Sequence, residues 1–290
     1  MNEFTFVTIS YNHEKYMIEH LESIRYLIEE YGQSMSFDFI LGDDCSRDAT
    51  VAVVKEWIGA HRDLFRNVTI IDRKENIGTI NNLFDSMSVC KTHYCKLLAG
   101  DDKYYRNNIF KMLEENDEKL VLTPILPFGG SVSFSGQAQT YKFLYGDQKH
   151  IGKWLHYRNL ILAPGVFIPV SVWRDQGLRD FLAPYKYIED YPMWCYLFHI
   201  KKMEYRMLAE PYICYRMNSG ISRNKKQEKF NAWTQEHDRI VRDMKVLIRD
   251  GKKQLNPHWY YFTAMRYYYS HKKSVNRVFS ENTDLKQFYT

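Results

Sequence analysis

The first hundred residues alternate two kinds of apolar segment, and this alternation restricts the folds open to the chain. Four segments have the length and the β-branched, aromatic composition of strands: residues 4–10, 37–41, 68–71 and 94–99. Amphipathic segments with apolar residues at helical spacing follow the first three: residues 18–32, 50–61 and 80–87. Strands that alternate with helices predict an α/β fold with a mostly parallel sheet flanked by helices.

Polar loops directly follow three of these predicted strands, at residues 11–14, 43–48 and 100–103. The carboxyl ends of parallel strands lie at one edge of a sheet, and ligands of open α/β folds bind there. We therefore expect the three loops to converge on one crevice that holds the functional site.

Asp101 and Asp102 lie side by side in the segment LLAGDDKYY, at the end of the fourth predicted strand. Adjacent carboxylates repel each other and are stabilised by a cation or by hydrogen-bond donors. Carboxylate oxygens suit Mg²⁺ or Mn²⁺, which take further ligands from water and substrate phosphates. The pair therefore points to a divalent metal and a substrate that carries a diphosphate. The alternative is a solvated turn in which one aspartate caps the next helix.

Apolar patterning and cysteine usage indicate the cellular compartment. The longest apolar segment, residues 160–173, contains Pro164 and Pro169 and is shorter than the roughly 20 residues of a spanning helix. The N-terminal residues have no secretory signal pattern, so we expect a cytoplasmic protein. None of the five cysteines belongs to a CxxC pair, and we interpret them as reduced packing residues.

Basic charge is concentrated towards the C-terminus. Residues 223–290 carry 15 Lys and Arg against 7 Asp and Glu, whereas residues 1–222 carry 25 against 28. Helical spacing over residues 224–250, and a cap at Asn256 before a second helix, predict a basic, aromatic-rich helical extension. Its apolar stripe is expected to pack on the rest of the chain; the alternative is peripheral contact with an anionic membrane. Without a nucleic-acid-binding motif, no nucleic-acid partner is expected.

Five segments in chain order resemble the family 2 glycosyltransferases, inverting enzymes with a GT-A fold. They are TISYNHEKY, ILGDDCSRDAT, NIGTINN, LLAGDDKYY and IEDYPMW, and they span about residues 4–222. The resemblance implies a Rossmann-like GT-A domain over residues 1–222, followed by the helical extension over residues 223–290. It also implies transfer of a hexosyl or hexosaminyl unit from a nucleoside diphosphate sugar, with UDP as the carrier.

The acceptor class also comes from this resemblance. A hydroxyl group of a glycan, a lipid-linked intermediate or a glycoprotein is implied, as in the synthesis of a bacterial surface polysaccharide. An enzyme that acts on a lipid-linked acceptor would work at the inner face of the cell membrane, where the basic extension could contact the lipid surface.

Positions that match the family's motifs suggest how the nucleotide is bound. Asp43 would accept a hydrogen bond from the base, and Tyr11 would lie beside the base. Ser10 lies at the same strand end and would contribute its backbone. Asn76 would shape the loop near the nucleotide, and Arg216 would contact the diphosphate.

Asp101 and Asp102 match the family's acidic metal motif. Ala99 stands where the first aspartate of that motif commonly lies, so ligation of Mn²⁺ or Mg²⁺ would depend mainly on Asp102, with Asp101 beside it.

Glu189 and Asp190 match the family's acidic pair, in which the aspartate is the general base that takes the acceptor's proton. An acidic helix start is the alternative for this pair. We expect residues 129–158 to shape the acceptor or donor-sugar pocket. The alternative function is a noncatalytic nucleotide-sugar binding or scaffold protein, which would keep Asp43 but has no need of an acid at position 190. A sugar nucleotidylyltransferase is disfavoured because SYNHEKY lacks the glycine-rich loop that such enzymes carry.

Overall fold

The computed structural model describes residues 2–113, 118–130, 134–217, 228–249 and 259–289. The strands in these ranges are β1 Asn2–Ser10, β2 Met35–Asp43, β3 Asn67–Asp72, β4 Tyr94–Ala99, β5 Lys103–Tyr104, β6 Leu120–Leu122, β7 Ile125–Phe128, β8 Val166–Phe167, β9 Tyr205–Met207 and β10 Ile213–Arg216. The α-helices are α1 Glu14–Tyr31, α2 Thr50–Ala60, α3 Thr79–Ser88, α4 Ser135–Gly146, α5 Ile151–Leu155, α6 Val170–Trp173, α7 Gln176–Leu182, α8 Asp190–Cys195, α9 Glu228–Arg249, α10 Trp259–Ser270, α11 Lys273–Glu281 and α12 Lys286–Tyr289.

The central sheet has the strand order β3-β2-β1-β4, and all of its neighbouring strands are parallel. The predicted α/β class with a mostly parallel central sheet is therefore confirmed. The observed strands extend the predicted ones by at most two residues at either end. Their polar ends stay in the ladder, as in the pairing of Ser10 with Asp43.

Apolar side chains cover both faces of this sheet because successive residues of a strand point to opposite sides. Phe6 and Phe39 pack on one face with the buried side of α1. Val7 and Ile40 pack on the other face with α3. Burial on both faces explains why the strands are near-continuous apolar segments.

Two small sheets follow, with strand orders β5-β10-β7 and β8-β6-β9. In the first, β10 is parallel to β7 and antiparallel to β5. The backbone N–H of Arg216, the last residue of β10, donates a 2.7 Å hydrogen bond to Asp102 Oδ1. This small sheet therefore connects a late part of the chain to the acidic turn after β4.

The C-terminal helices pack on the rest of the chain through apolar side chains, as the sequence predicts. Ile240 and Met244 of α9 are buried. Phe262 of α10 is 1% exposed, and its ring stacks on Tyr157 with the ring centroids 4.7 Å apart. Tyr289 of α12 donates from its hydroxyl to the carbonyl oxygen of Ile125 at 2.8 Å. The predicted boundary after residue 222 and the cap at Asn256 lie outside the described residues.

None of the helices that the structure describes is both long enough and apolar enough to cross a bilayer.

Replacement of Phe262 by alanine tests how strongly α10 is bound to the rest of the chain. Loss of a buried phenylalanine typically costs about 3–5 kcal/mol, so Phe262→Ala should lower the free energy of unfolding by that amount in urea denaturation. Tyr268→Ala is the matched control on the same helix, because the Tyr268 side chain is exposed. Equal stability of the two variants would contradict the packing described here.

Candidate active site

A cavity of about 1000 Å³ lies at the carboxyl edge of the central sheet. The loops that follow β1, β2 and β4 all contribute to its wall, so the predicted convergence of these loops is confirmed. Segments 157–168 and 187–193 form further parts of the wall. Trp233 and His237 of α9 also line the cavity, which brings the C-terminal region to the same site.

The loops after β1 and β2 are joined by hydrogen bonds between backbone and side-chain groups. Asn12 N donates to Ser46 Oγ at 2.8 Å, and Arg47 N donates to Asn12 Oδ1 at 2.8 Å. Asn12 and Cys45 both have a left-handed backbone, with φ of 57° and 64°. These bonds hold the two loops in one arrangement at the mouth of the cavity.

Asn12 does not cap the first helix, although asparagine is a common N-cap residue. The helix begins at Glu14, and the Asn12 side chain is already used by the neighbouring loop. Asp48 of that loop accepts instead from Glu14 N at 3.1 Å and from Thr50 N at 3.1 Å. One side chain from the second loop thus serves the start of both α1 and α2.

Asp43 is almost completely buried and does not itself line the cavity, but its sequence neighbour Asp44 does, and most of the acceptor positions of Asp43 are in use. Its Oδ1 accepts from Ser10 Oγ at 2.6 Å and from Ser46 Oγ at 2.5 Å, and its Oδ2 accepts from Ser46 N at 2.7 Å. A carboxylate oxygen can accept two hydrogen bonds, so Oδ2 can accept one more. Ser10 and Tyr11 line the cavity next to this group.

Asp44, the second acid of GDDCS, joins the loops after β2 and β3. Its carboxylate accepts from Ile77 N at 2.8 Å and from Gly78 N at 3.0 Å. Asn76 donates from its amide to the Asp44 carbonyl oxygen at 3.0 Å. Asn76 does not line the cavity but holds a loop beside it, whereas Asp44 does line it. No role for Asp44 was predicted from the sequence.

Asp101 and Asp102 both line the cavity, and Asp102 is held from two sides. Arg216 N donates to its Oδ1 at 2.7 Å, and His20 Nδ1 donates to its carbonyl oxygen at 2.8 Å. Burial lowers the pKa of His20 to about 4, so the ring is neutral and its Nε2 accepts from Thr8 Oγ1 at 2.8 Å. His20 lies on the apolar face of α1, and a polar residue in that stripe was the signal for its role.

Charge at the acidic turn is only partly compensated by the protein. Burial raises the pKa of Asp102 well above its usual range, and the neighbouring Asp101 raises it further. The nearby Lys96 is itself buried, which lowers its pKa to about 7, and its Nζ donates to the Val166 carbonyl oxygen at 2.8 Å. A cation in the cavity would favour the charged form of Asp102.

The donor set of this turn fits one divalent metal with few protein ligands. Asp101 and Asp102 supply hard carboxylate oxygens, and Mg²⁺ and Mn²⁺ complete such sites with water and phosphate oxygens. Among the residues that the structure describes, no three His, Cys, Asp or Glu side chains form a group that could hold a metal. The protein groups present therefore suit a metal that is held jointly with a diphosphate.

The guanidinium group of Arg216 lies behind the acidic turn. Its Nε donates to the Asp101 carbonyl oxygen at 2.8 Å, and its Nη2 pairs with the Glu19 carboxylate. The ring centroids of Tyr16 and Phe128 each lie 4.3 Å from the guanidinium carbon of Arg216. Arg216 does not belong to the cavity wall, so its contact with a diphosphate stays a prediction.

Glu189 and Asp190 line the cavity at the start of α8. Asp190 Oδ2 accepts from the Asn159 amide at 2.6 Å, and its Oδ1 accepts from Tyr191 N at 2.7 Å. Burial raises the pKa of both acids, and for Glu189, beside Asp190, it reaches about 8. A carboxylate with a raised pKa is a stronger base. Asn159 comes from an irregular segment, and no sequence pattern pointed to it.

Only the end of the stretch 129–158 reaches the cavity in the described residues. Tyr157 and Arg158 line the cavity, whereas α4 and α5 bury Phe143 and Trp154 in the core. The expectation that the whole stretch shapes the pocket is therefore wrong for α4 and α5, because their apolar side chains pack inwards.

Comparison with known sequences identifies the family. The sequence model of glycosyl transferase family 2 matches residues 5–168, which is more than half of the chain and covers most of β1 and all of β2 to β8. The chain belongs to glycosyl transferase family 2. Curated relatives of this family 2 chain include the uncharacterized proteins Rv1520 of Mycobacterium tuberculosis and Mb1547 of Mycobacterium bovis. Each is 34% identical over 96 residues, which are 33% of this chain and 26% of the relative. The aligned part is thus about a quarter of the length of these relatives.

Solved structures share the fold of this family 2 chain at low sequence identity. S. aureus TarS 1-349 in complex with UDP-GlcNAc has a TM-score of 0.55 and 16% identity, over 97% of this chain and 74% of TarS 1-349. The mannosyltransferase PcManGT from Pyrobaculum calidifontis, in complex with GDP-Man and Mn²⁺, has a TM-score of 0.51 and 14% identity, over 95% and 71%. These similarities confirm the GT-A fold.

The raised pKa of Glu189 predicts a pH-dependent difference in stability. The unfolded chain loses the Glu189 proton near its ordinary pKa of 4.5, whereas the folded protein keeps it up to about 8. Ionisation therefore favours the unfolded chain as the pH rises between these values. The free energy of unfolding of the wild type should fall relative to Glu189→Gln by up to about 1.4 kcal/mol per pH unit.

Urea denaturation from pH 5 to pH 8.5 measures this difference. Glu56→Gln, at an exposed position of α2, is the control and should follow the wild type at every pH. A constant difference between wild type and Glu189→Gln over this range would contradict the raised pKa.

Proposed function

We propose that this chain is an inverting sugar transferase that moves a hexosyl or hexosaminyl unit from a nucleoside diphosphate sugar to an acceptor hydroxyl. The observation that carries the proposal is one cavity lined by two separate acidic pairs, Asp101-Asp102 after β4 and Glu189-Asp190 at the start of α8. Sugar transfer needs two such groups, one for the charged leaving group and one for the acceptor's proton.

Donor binding uses the groups at the ends of β1 and β2. Asp43 accepts a hydrogen bond from N3–H of a uracil ring through the remaining position on Oδ2, and Tyr11 lies against the ring. The complexes of TarS with UDP-GlcNAc and of PcManGT with GDP-Man support a nucleoside diphosphate sugar as the donor class. We propose UDP as the carrier.

The diphosphate is proposed to bind at the acidic turn. Asp102, with Asp101 beside it, would hold Mn²⁺ or Mg²⁺, and PcManGT supports this by its complex with Mn²⁺. When bound, the metal neutralises the charge of the departing diphosphate. His20 and the Arg216 N–H keep Asp102 in place for this contact.

Asp190 is proposed as the general base. The acceptor oxygen bonds to the anomeric carbon while the bond from that carbon to the diphosphate oxygen breaks, and the electron pair leaves with the diphosphate. The acceptor's proton passes to an Asp190 carboxylate oxygen as the attack develops. Asn159 donates to Oδ2 and orients the carboxylate. A single displacement of this kind inverts the anomeric configuration.

The acceptor is proposed to be a glycan, a lipid-linked intermediate or a glycoprotein, with a bacterial surface polysaccharide as the product class. A cytoplasmic location, with the basic C-terminal region at the inner face of the membrane, fits a lipid-linked acceptor and stays part of the proposal. A noncatalytic nucleotide-sugar binding protein is the competing function, and the variants below distinguish it.

Asp102→Asn should remove metal-dependent nucleotide binding. In the wild type, UDP at 100 times its Kd together with Mn²⁺ should stabilise the folded protein by about 2.7 kcal/mol, and thermal-shift measurements detect this as a higher Tm. The variant should show no gain from Mn²⁺ over UDP alone. Asp72→Asn, at the end of β3 outside the cavity wall, is the control. Equal Mn²⁺-dependent shifts in Asp102→Asn and wild type would contradict the metal assignment.

Asp190→Asn should lower donor turnover by about 100-fold or more, because an amide cannot take the proton. The assay measures the UDP or GDP that is released from a panel of UDP- and GDP-linked sugars. The affinity of Asp190→Asn for the nucleotide should equal that of the wild type. Asp180→Asn, exposed on the nearby α7, should keep wild-type turnover. Unchanged turnover in Asp190→Asn would exclude it as the base, and a wild type that binds nucleotide sugars without any turnover would favour the noncatalytic function.

A further inference from the structure

Glu236 of α9 binds three consecutive backbone N–H groups of a distant segment. Its Oε2 accepts from Lys186 N at 2.7 Å. Its Oε1 accepts from Tyr187 N at 2.6 Å and from Ile188 N at 2.8 Å. Hydrogen bonds from N–H groups to a charged carboxylate are about twice as strong as bonds between neutral groups. One side chain therefore bonds to the backbone N–H group of every residue in the segment 186–188.

This segment leads directly into the proposed catalytic pair. Ile188 is followed by Glu189 and by Asp190, which opens α8. N–H groups that precede a helix have no partner inside the helix and must be satisfied from elsewhere. The N–H of Tyr191 inside α8 donates to the Asp190 carboxylate, whereas the three N–H groups before the helix donate to Glu236.

The same helix also forms part of the cavity wall. Trp233 and His237 flank Glu236 in the sequence, line the cavity, and stack with their ring centroids 5.4 Å apart. Tyr187 and Ile188 line the cavity as well. The bonds of Glu236 thus lie at the junction between α9 and the wall that carries Asp190.

We propose that Glu236 is a positioning residue of the sugar-transfer reaction: it holds the backbone of residues 186–188 and thereby sets the place of the Asp190 carboxylate in the cavity. The inference rests on the proposed role of Asp190 as the base. It makes α9 part of the active centre, although the sequence assigns this helix to an extension. A displacement of about 1 Å in a reacting group can cost roughly 100-fold in rate.

Two further contacts between α9 and the same region provide a control. Asp243 Oδ2 accepts from the Tyr185 hydroxyl at 3.2 Å, and the Arg239 guanidinium donates to the Pro184 carbonyl oxygen. Both contacts bind α9 to the chain but do not involve the N–H groups that precede Glu189. A role of α9 in packing alone predicts similar effects of Glu236 and Asp243 variants.

The experiment compares Glu236→Gln, Glu236→Ala and Asp243→Asn in the full chain. Glutamine keeps one acceptor oxygen for Tyr187 and Ile188 but has no acceptor for Lys186. Hydrogen exchange of the peptide that contains residues 186–190 should be faster in Glu236→Ala, intermediate in Glu236→Gln and unchanged in Asp243→Asn. This readout does not depend on activity, and unchanged exchange in Glu236→Ala would overturn the inference.

Kinetics test the positioning role itself, with release of nucleoside diphosphate from the donor that the wild type turns over. Glu236→Gln should lower kcat by about 10- to 100-fold with an unchanged KM for the donor. Asp243→Asn should retain kcat within about twofold at a similar Tm. Equal kcat losses in the two variants would overturn the inference. So would a kcat loss in Glu236→Gln that is fully explained by a lower Tm. Retained kcat in Glu236→Gln together with a loss in Asp190→Asn would overturn it while leaving the proposed function standing.

Discussion

Burial of Asp102 at the end of a parallel strand is the constraint on which the architecture of the cavity depends. A carboxylate in this environment is stable only with donors close to it. The backbone N–H of Arg216 in β10 donates to this carboxylate, and the His20 ring of α1 donates to the backbone carbonyl oxygen of Asp102. Glu19, Tyr16 and Phe128 in turn hold the Arg216 side chain, so the acidic turn ties three distant parts of the chain together. The negative charge that remains on this turn favours a cation, and the cation can in turn bind a diphosphate.

Local signals were sufficient for the first half of the fold. β1 to β4 and α1 to α3 follow from composition and spacing, because their strands are buried on both faces and their helices on one. The position of the acidic loops followed from the same reasoning, since parallel strands deliver their carboxyl ends to one edge. Asp101 and Asp102 could therefore be named as candidates from strand ends alone, whereas Asp190 was named because IEDYPMW resembles the family's acidic pair.

Long-range contacts were not accessible to that reasoning. Asn159 belongs to an irregular segment, and only the folded chain brings it to Asp190. Asn12 has the composition of an N-cap, but Ser46 and Arg47 of another loop use its groups. In the sequence, Glu236 is one charged residue among others on a predicted helix. The three backbone N–H groups that it binds, in residues 186–188, lie about fifty positions earlier. In each case the local pattern is the same whether or not the distant partner exists.

The two acids of GDDCS illustrate how adjacent residues serve different parts of the site. Asp43 bonds to Ser10 and Ser46 and remains beside the end of β1. Asp44 accepts from the backbone of residues 77 and 78 and reaches the cavity wall. One acid therefore supports the proposed base-binding position, and the other holds the loop that follows β3. Two adjacent acids can serve both parts because the loops after β1, β2 and β3 meet at one edge of the sheet.

A crystal structure of the protein with UDP and Mn²⁺ tests the central claim most directly. The account predicts the metal on Asp102 and the diphosphate, the uracil ring against Tyr11 with N3–H on Asp43, and the diphosphate end in the same cavity as Asp190. A nucleotide bound outside this cavity, or a metal held away from Asp102, would contradict the account.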